Sequence, residues 1–185
     1  FGTHEAAALC AVLERTPCVT QLLLGRNPTL AGKAMPVVVA ALRHMGCVAR
    51  LDVRECGLGW RDVAALTVLL EGVTGRHGLQ ELTELHLGGN PLGDRGTQQL
   101  AAALRRQEQV RVLNLSRCHV SDMGGVALGG MIEANFALRR LSLSWGSFGG
   151  LRASGAIAAG IAANRTLQSL DLSSCGLGAE AGVPP

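Results

Sequence analysis

The chain has 185 residues, a formal net charge of +3, 48% apolar and 3% aromatic residues, and no tyrosine. The length fits one globular domain or one short repeat array. The charge is small and scattered, and no aromatic residues are interleaved with basic ones, which argues against nucleic-acid binding. No apolar run approaches the roughly 18 residues that a membrane span needs, so we expect no membrane association.

A spaced pattern of leucines recurs along the chain and defines the predicted strands. The fullest copy reads Leu82-x-x-Leu85-x-Leu87-x-x-Asn90-x-Leu92, which is the signature of a leucine-rich repeat. Equivalent leucines are 28 or 29 residues apart, except for one gap of 34, and a chance pattern would not hold that spacing. In chain order the copies span residues 19–30, 48–58, 82–92, 110–120, 138–148 and 167–177.

Helices are predicted between the leucine patterns. Apolar residues recur at helical spacing in residues 92–107 and again in residues 121–133. The second segment would bury Val126, Leu128, Met131 and Ile132. Ser121 and Asp122 supply N-cap chemistry just ahead of it.

A unit of strand, turn and helix cannot bury both of its apolar faces alone, so such units must stack. Helices are wider than strands, and the stack must therefore bend. The sequence predicts an α/β fold, a leucine-rich repeat solenoid in the shape of a horseshoe, with a parallel concave β-sheet and convex α-helices.

Repeats of this length that contain helices resemble those of the ribonuclease-inhibitor family. The polar position after each strand reads Asn27, Cys56, Asn90, Cys118, Gly146 and Cys175. This alternation of Asn and Cys is similar to the two alternating repeat types of ribonuclease inhibitor. Gly146 breaks the alternation, and we expect its repeat to lack one side-chain hydrogen bond.

We expect residues 1–185 to form a single array of about six repeats that belongs to a longer protein. Phe1 and Gly2 align with Leu92 and Gly93, so the chain would begin inside a repeat, and residues 179–185 would begin another helix. The 34-residue gap implies about 5 or 6 extra residues. We place them in an exposed glycine-rich loop within residues 71–80.

Searches for catalytic and metal-binding patterns give negative predictions. The six cysteines contain no C-x-x-C pair, the histidines contain no H-x-x-x-H pair, and no segment resembles a nucleophile elbow. Residues 25–33 imitate a phosphate-binding loop, but Asn27 and Ala34 stand where glycine and Ser or Thr are required. We therefore expect no enzyme activity, metal or cofactor. Unpaired cysteines would place the protein in the cytoplasm or the nucleus.

The candidate binding residues follow from the strand frame. In x-Leu-x-Leu-x the leucines point into the core, and the residues between them face the concave surface. Arginine and tryptophan are enriched at binding hot spots. The candidates on this face and on the rim where the strands end are Arg26, Arg50, Asp52, Arg54, Glu84, His86, Asn114, Arg117, Arg140, Trp145 and Asp171. We expect this face to be solvated, with no buried role.

The resemblance implies a module that binds a protein partner through the concave face, as ribonuclease inhibitors do. Two alternatives stay open within the same fold. One is a GTPase-activating protein that acts through Arg26 or Arg117, and the other is a regulatory repeat domain of an innate-immune receptor. Trp145 also has two interpretations, as a binding residue or as a side chain that covers the gap at Gly146.

Overall fold

The computed structural model of the chain describes residues 3–13, 15–16, 18–71 and 79–177. The predicted loop within residues 71–80 and the two chain ends fall largely outside the described residues. The strands are β1 Gln21–Leu23, β2 Arg50–Asp52, β3 Glu84–His86, β4 Val112–Asn114, β5 Arg140–Ser142 and β6 Ser169–Asp171. The helices are α1 Thr3–Leu13, α2 Met35–Leu42, α3 Trp60–Leu70, α4 Gly93–Leu104, α5 Asp122–Ala134 and α6 Leu151–Ala163, with a 3-10 turn at Pro28–Leu30.

The six strands form one parallel sheet in the order of the chain. Every pair is aligned on the central leucine, so that Leu22 faces Leu51, Leu51 faces Leu85, and the same register continues to Leu170. Parallel strands in a sheet are about 4.8 Å apart, whereas packed helices are about 8–10 Å apart. The sheet therefore lies on the inside of the curve and the helices on the outside, which confirms the predicted solenoid.

The core lies between the sheet and the helices and consists mainly of repeat leucines. Leu51, Leu85 and Leu113 are almost completely buried, as are the apolar residues that start and end the four central leucine patterns. Burial is weaker in the outer patterns, where Val19 and Leu167 are half-buried and Leu177 is exposed. On the convex layer, Leu128, Met131 and Ile132 are buried as predicted, whereas Val126 is only half-buried. One continuous cluster of apolar side chains thus runs through the stacked repeats.

The helices begin and end differently from the sequence prediction. Helix α4 ends at Leu104 instead of 107, because the side chain of Gln107 turns back and accepts hydrogen bonds from the N–H groups of Gln109 and Val110.

The hydroxyl of Ser121 does not cap α5. The carboxylate of Asp94, in the repeat before, accepts the N–H groups of Ser121 and Gly124 instead. Ser121 therefore occupies the predicted N-cap position, but its hydroxyl does not make the capping bond, because stacking supplies a stronger charged acceptor.

A buried polar ladder follows the ends of the strands. The side-chain amide of Asn90 is bonded to backbone groups at both of its ends. Its Oδ1 accepts hydrogen bonds from the N–H groups of Cys56 and Leu58, and its Nδ2 donates to the carbonyl groups of Val53 and Leu87. The thiols of Cys56, Cys118 and Cys175 donate to carbonyl groups of the preceding repeat. These residues therefore link neighbouring repeats through hydrogen bonds from side chain to backbone, as the Asn and Cys alternation predicts.

The ladder position at Gly146 is filled by another side chain. A Cβ atom at Gly146 would overlap the ring of Phe148, which is completely buried. Trp145 is 57% exposed and does not cover this position. The space-filling interpretation of Trp145 is therefore wrong, because Phe148 already occupies the gap.

A second polar ladder, which the sequence analysis missed, lies where the strands begin. The side-chain amide of Asn135 donates to the carbonyl groups of Leu104 and Gln107 and accepts N–H groups from its own turn. Asn164 makes the same set of contacts one repeat later. The positions 107, 135 and 164 are separated by 28 and 29 residues, so the repeat period itself was the signal that could have revealed them.

Candidate functional site

The outward positions of the strands form the concave surface, but they are not uniformly solvated. Asp52 is only 5% exposed, and Ser144 is also buried. The expectation that this face has no buried role is therefore wrong at these positions. Short strands on a curved sheet bring neighbouring outward side chains within hydrogen-bond distance, so some of them satisfy one another instead of facing water.

An ion pair anchors the concave face in strand β2. The guanidinium of Arg54 grips both carboxylate oxygens of Asp52, with Nη2 2.7 Å from Oδ2 and Nε 3.0 Å from Oδ1. Burial by itself raises the pKa of Asp52, but the hydrogen bonds from the side chain and backbone of Arg54 outweigh it and hold that pKa below its usual value. Arg54 thus carries its charge at the surface while it neutralises a buried carboxylate.

Three further contacts lie on the same half of the sheet, and two of them, Arg50 with Glu84 and Arg26 with Glu55, join neighbouring repeats. Oε2 of Glu84 lies 3.3 Å from Nη1 of Arg50 and 3.3 Å from Nε2 of His86. On the rim, Nε of Arg26 lies 3.6 Å from Oε2 of Glu55, and both side chains are mostly exposed. The structure therefore brings six of the predicted residues into one charged cluster: Arg26, Arg50, Asp52, Arg54, Glu84 and His86.

The other half of the sheet carries amide and hydroxyl groups. Oδ1 of Asn114 accepts hydrogen bonds from the N–H and hydroxyl groups of Ser116. Asp171 accepts hydrogen bonds from Ser173 and Ser142, which lower its pKa to about 2. Arg140 is exposed, and none of the ion pairs found among the described residues involves it.

The rim where the strands end has an unusual backbone. In all six repeats of the described sheet the residue at this position has a positive φ, between 54° and 72°. Glycine adopts this conformation without cost, as Gly89 does, whereas other residues pay about 1 kcal/mol or more. The other five rim residues are Arg26, Glu55, Arg117, Trp145 and Ser174.

The largest exposed side chain of this rim is Trp145. Its ring is stacked by the guanidinium of Arg117, whose Cζ lies 4.8 Å from the ring centroid. An exposed pair of this kind contributes about 0.5–1 kcal/mol. The contact holds an aromatic ring and a positive charge side by side at the edge of the concave surface.

The described residues were searched for metal-binding, membrane-spanning and nucleophilic groups. They contain no group of three His, Cys, Asp or Glu side chains that could hold a metal ion. No helix among them is both long and apolar enough to cross a bilayer. Burial raises the pKa of the Cys118 thiol to about 12, and it also raises the pKa values of Cys56 and Cys175. These thiols are packing groups, because a nucleophilic thiol needs a lowered pKa.

Solved structures with the same architecture support the fold. The actin-binding site 2 of leiomodin-1 superposes with a TM-score of 0.68 at 13% sequence identity, covering 84% of this chain and 86% of that chain. At this identity the likeness concerns the fold alone.

Sequence relatives define the family. A family profile described as a leucine-rich repeat matches residues 79–101, 110–129 and 163–184. Ribonuclease inhibitor of Mus musculus is 33% identical over 144 residues, which are 77% of this chain and 30% of that protein's length. The NACHT, LRR and PYD domains-containing protein 12 of Mus musculus is 31% identical over 150 residues, or 78% of this chain and 14% of that protein. The chain therefore belongs to the leucine-rich repeat proteins, with repeats of the ribonuclease-inhibitor type.

Proposed function

We propose that the chain is a non-enzymatic module that binds a protein partner through its concave face. The observation that carries this proposal is the Trp145 and Arg117 pair on the rim. Both residues hold a left-handed backbone that glycine would adopt more easily, and neither contributes to the core. All six rim positions share this backbone conformation, so the side chains are what distinguish the pair. Tryptophan and arginine are the residue types most enriched at binding hot spots.

The relatives are consistent with this proposal. One of them is a ribonuclease inhibitor, and that name denotes binding to another protein. None of the six cysteines, all of which lie in the described ranges, forms a disulfide, which supports our further proposal of a reducing location, the cytoplasm or the nucleus.

The GTPase-activating alternative is less well supported by the geometry. An arginine that enters the active site of another protein must leave its resting contacts. Arg117 is stacked on Trp145, and Arg26 is paired with Glu55. Both candidate arginines therefore already have partners, and a role in catalysis would cost each of them an exposed contact worth at most about 1 kcal/mol. Acceleration of GTP hydrolysis by the wild-type chain, lost in Arg26→Ala or Arg117→Ala, would reverse this preference.

A quantitative pull-down tests the proposed function. We expect Trp145→Ala to weaken capture of the proteins that the wild-type chain retains from cell extract by about 30-fold, the effect of losing about 2 kcal/mol at a hot spot. Arg140→Glu serves as the charge-reversal variant, because Arg54→Glu would place two carboxylates together at buried Asp52. Arg152→Glu, on the outside of α6, is the control. Normal capture by both Trp145→Ala and Arg140→Glu would show that the concave face is not the binding surface.

A further inference from the structure

A basic cleft lies on the side of the solenoid where the strands begin, opposite the rim where they end. It has a volume of about 540 Å³, within the range of about 300–1,000 Å³ typical of ligand-binding clefts. We call it the strand-start cleft, and the lining residues that matter are Arg105, Arg106, Arg111, Ala134, Phe136 and Ala137. None of these residues belongs to the concave face.

The charge of this cleft is not neutralised internally. Arg105 and Arg106 are exposed directly after helix α4, and none of the ion pairs in the described chain includes them or Arg111. Glu108 is the one carboxylate in the lining, which leaves a net charge of +2 from three arginines and one glutamate. The C-terminal dipoles of α4 and of α5, which ends at Ala134 in the lining, each offset about half a charge, so the cleft remains basic by about one charge.

An aromatic ring stands beside this charge without a packing role. Phe136 is 68% exposed, although the backbone on both sides of it is fixed by the hydrogen bonds of Asn135. The equivalent positions in the neighbouring repeats are Glu108 and Arg165, so the turn accommodates a polar residue equally well. The core therefore does not explain the phenylalanine.

The cleft is also firmly built. Nη1 of Arg111 donates to the carbonyl of Ala137 at 3.0 Å, which holds the guanidinium against the lining while its remaining N–H groups stay available. Preorganised arginines lose little conformational entropy when they bind a carboxylate, and their planar group can grip both oxygens. The exposed ring of Phe136 and the half-buried methyl group of Ala134 provide a surface for one apolar residue, whereas Ala137 is only 4% exposed.

We propose that the strand-start cleft binds an acidic segment of a protein partner, with carboxylates on Arg105, Arg106 and Arg111 and a leucine or aromatic side chain against Phe136. Charge complementarity selects the acidic partner. A single-stranded nucleic acid would need a longer basic track and several stacking rings, whereas this cleft has one ring. This second surface is independent of the concave face and goes beyond the function proposed above.

Fluorescence anisotropy with labelled peptides tests this inference. The probe is a short peptide of Asp and Glu around a central Leu-Phe, compared with a peptide that has Lys in place of the acids and with one that has Gly-Ser in place of Leu-Phe. We expect the first peptide to bind the wild-type chain at least about tenfold more tightly than either of the others. An oligothymidylate of similar length serves as the nucleic-acid probe and should bind more weakly than the acidic peptide.

Variants of the cleft complete the test. The double variant Arg105→Glu with Arg106→Glu should lose at least about tenfold in affinity for the acidic peptide, and Phe136→Ser should lose about threefold or more. Arg152→Glu on α6 and Trp145→Ala on the concave rim should bind it as the wild type does, and circular dichroism confirms that each variant is folded. Absence of peptide binding, equal binding by the cleft variants, or tighter binding of the oligothymidylate would each overturn the proposal.

Discussion

The two halves of the sheet share one leucine register but carry different chemistry on the concave face. Strands β1–β3 bear the charged cluster, in which Asp52 and Glu84 are paired with arginines. Strands β4–β6 bear mainly amides and hydroxyls, with Arg140 outside every ion pair of the described residues, and their one carboxylate, Asp171, is held by serines. The core restricts only the inward positions of a strand. The comparison teaches that the outward positions can be specialised half by half without any change in the fold.

The convex layers of the two halves differ as well. A Cβ atom at Gly129 in α5 would overlap the carbonyl of Ala156 in α6, and one at Gly160 in α6 would overlap the carbonyl of Gly129. The backbones of α5 and α6 therefore touch. Helices α2 and α3 bury larger side chains instead, including Val38, Leu42 and Leu66.

The largest expected change in stability concerns the polar ladder at the strand ends. This ladder holds Asn90 in the first half of the sheet, whereas Phe148 fills the corresponding space in the second half. Asn90→Ala should lower the free energy of unfolding by about 3 kcal/mol, because two N–H groups and the carbonyl of Val53 would be buried without partners. The carbonyl of Leu87 would keep only the weak thiol donor of Cys118. Asn114→Ala, on the concave surface of the other half, should cost less than about 1 kcal/mol. Urea denaturation measures both. Similar losses for the two variants would contradict the division between ladder and surface.

The next largest change in stability tests the close packing of helices α5 and α6 on the convex side. Gly129→Ala should lower the free energy of unfolding by about 2–3 kcal/mol, since the added methyl group must push α5 away from α6. Gly155→Ala, also in a helix of this half, meets nothing within 4 Å and should stabilise the chain by up to about 1 kcal/mol through helix propensity. Thermal melts followed by circular dichroism report both changes. Equal signs would show that α5 and α6 are not in backbone contact.

The smallest effect sharpens the contrast on the concave face. Asp52 and Asp171 both have lowered pKa values, the first through Arg54 and the second through serines. Arg54→Gln should raise the pKa of Asp52, because burial then acts without the opposing guanidinium, and leave the pKa of Asp171 unchanged. Ser173→Ala should raise the pKa of Asp171 and leave that of Asp52 unchanged. Carbon NMR titration of the carboxyl groups distinguishes these outcomes. A shift of both groups in either variant would mean that the two halves are electrostatically coupled.

The same carboxylates set the sign of the pH dependence. A carboxylate whose pKa is lower in the folded chain stabilises that state above its unfolded pKa, and the stabilisation is lost as pH falls through the folded value. The free energy of unfolding should therefore decrease as pH falls from about 4 toward 2. Asp52→Asn should lower stability by about 1 kcal/mol at neutral pH and flatten this decrease.

Much of the architecture was readable from the repeat frame. The spacing of Leu22, Leu51 and Leu85 predicted the strands, their register and the side of the sheet that each residue faces, because the frame repeats in every unit. The contacts between units were not readable in the same way. Asp94 caps α5 and not its own helix, and the burial of Asp52 depends on Arg54 folding back over it.

The sequence by itself determined the stacking of the repeats, since a strand and a helix with one apolar face each must find the same faces in the next unit. Only the tertiary structure decided which polar side chains meet across neighbouring units, that Phe148 occupies the place of a missing amide, and that Phe136 stands beside uncompensated arginines. These outcomes depend on distances of a few ångströms between different repeats, and a one-dimensional pattern does not contain them.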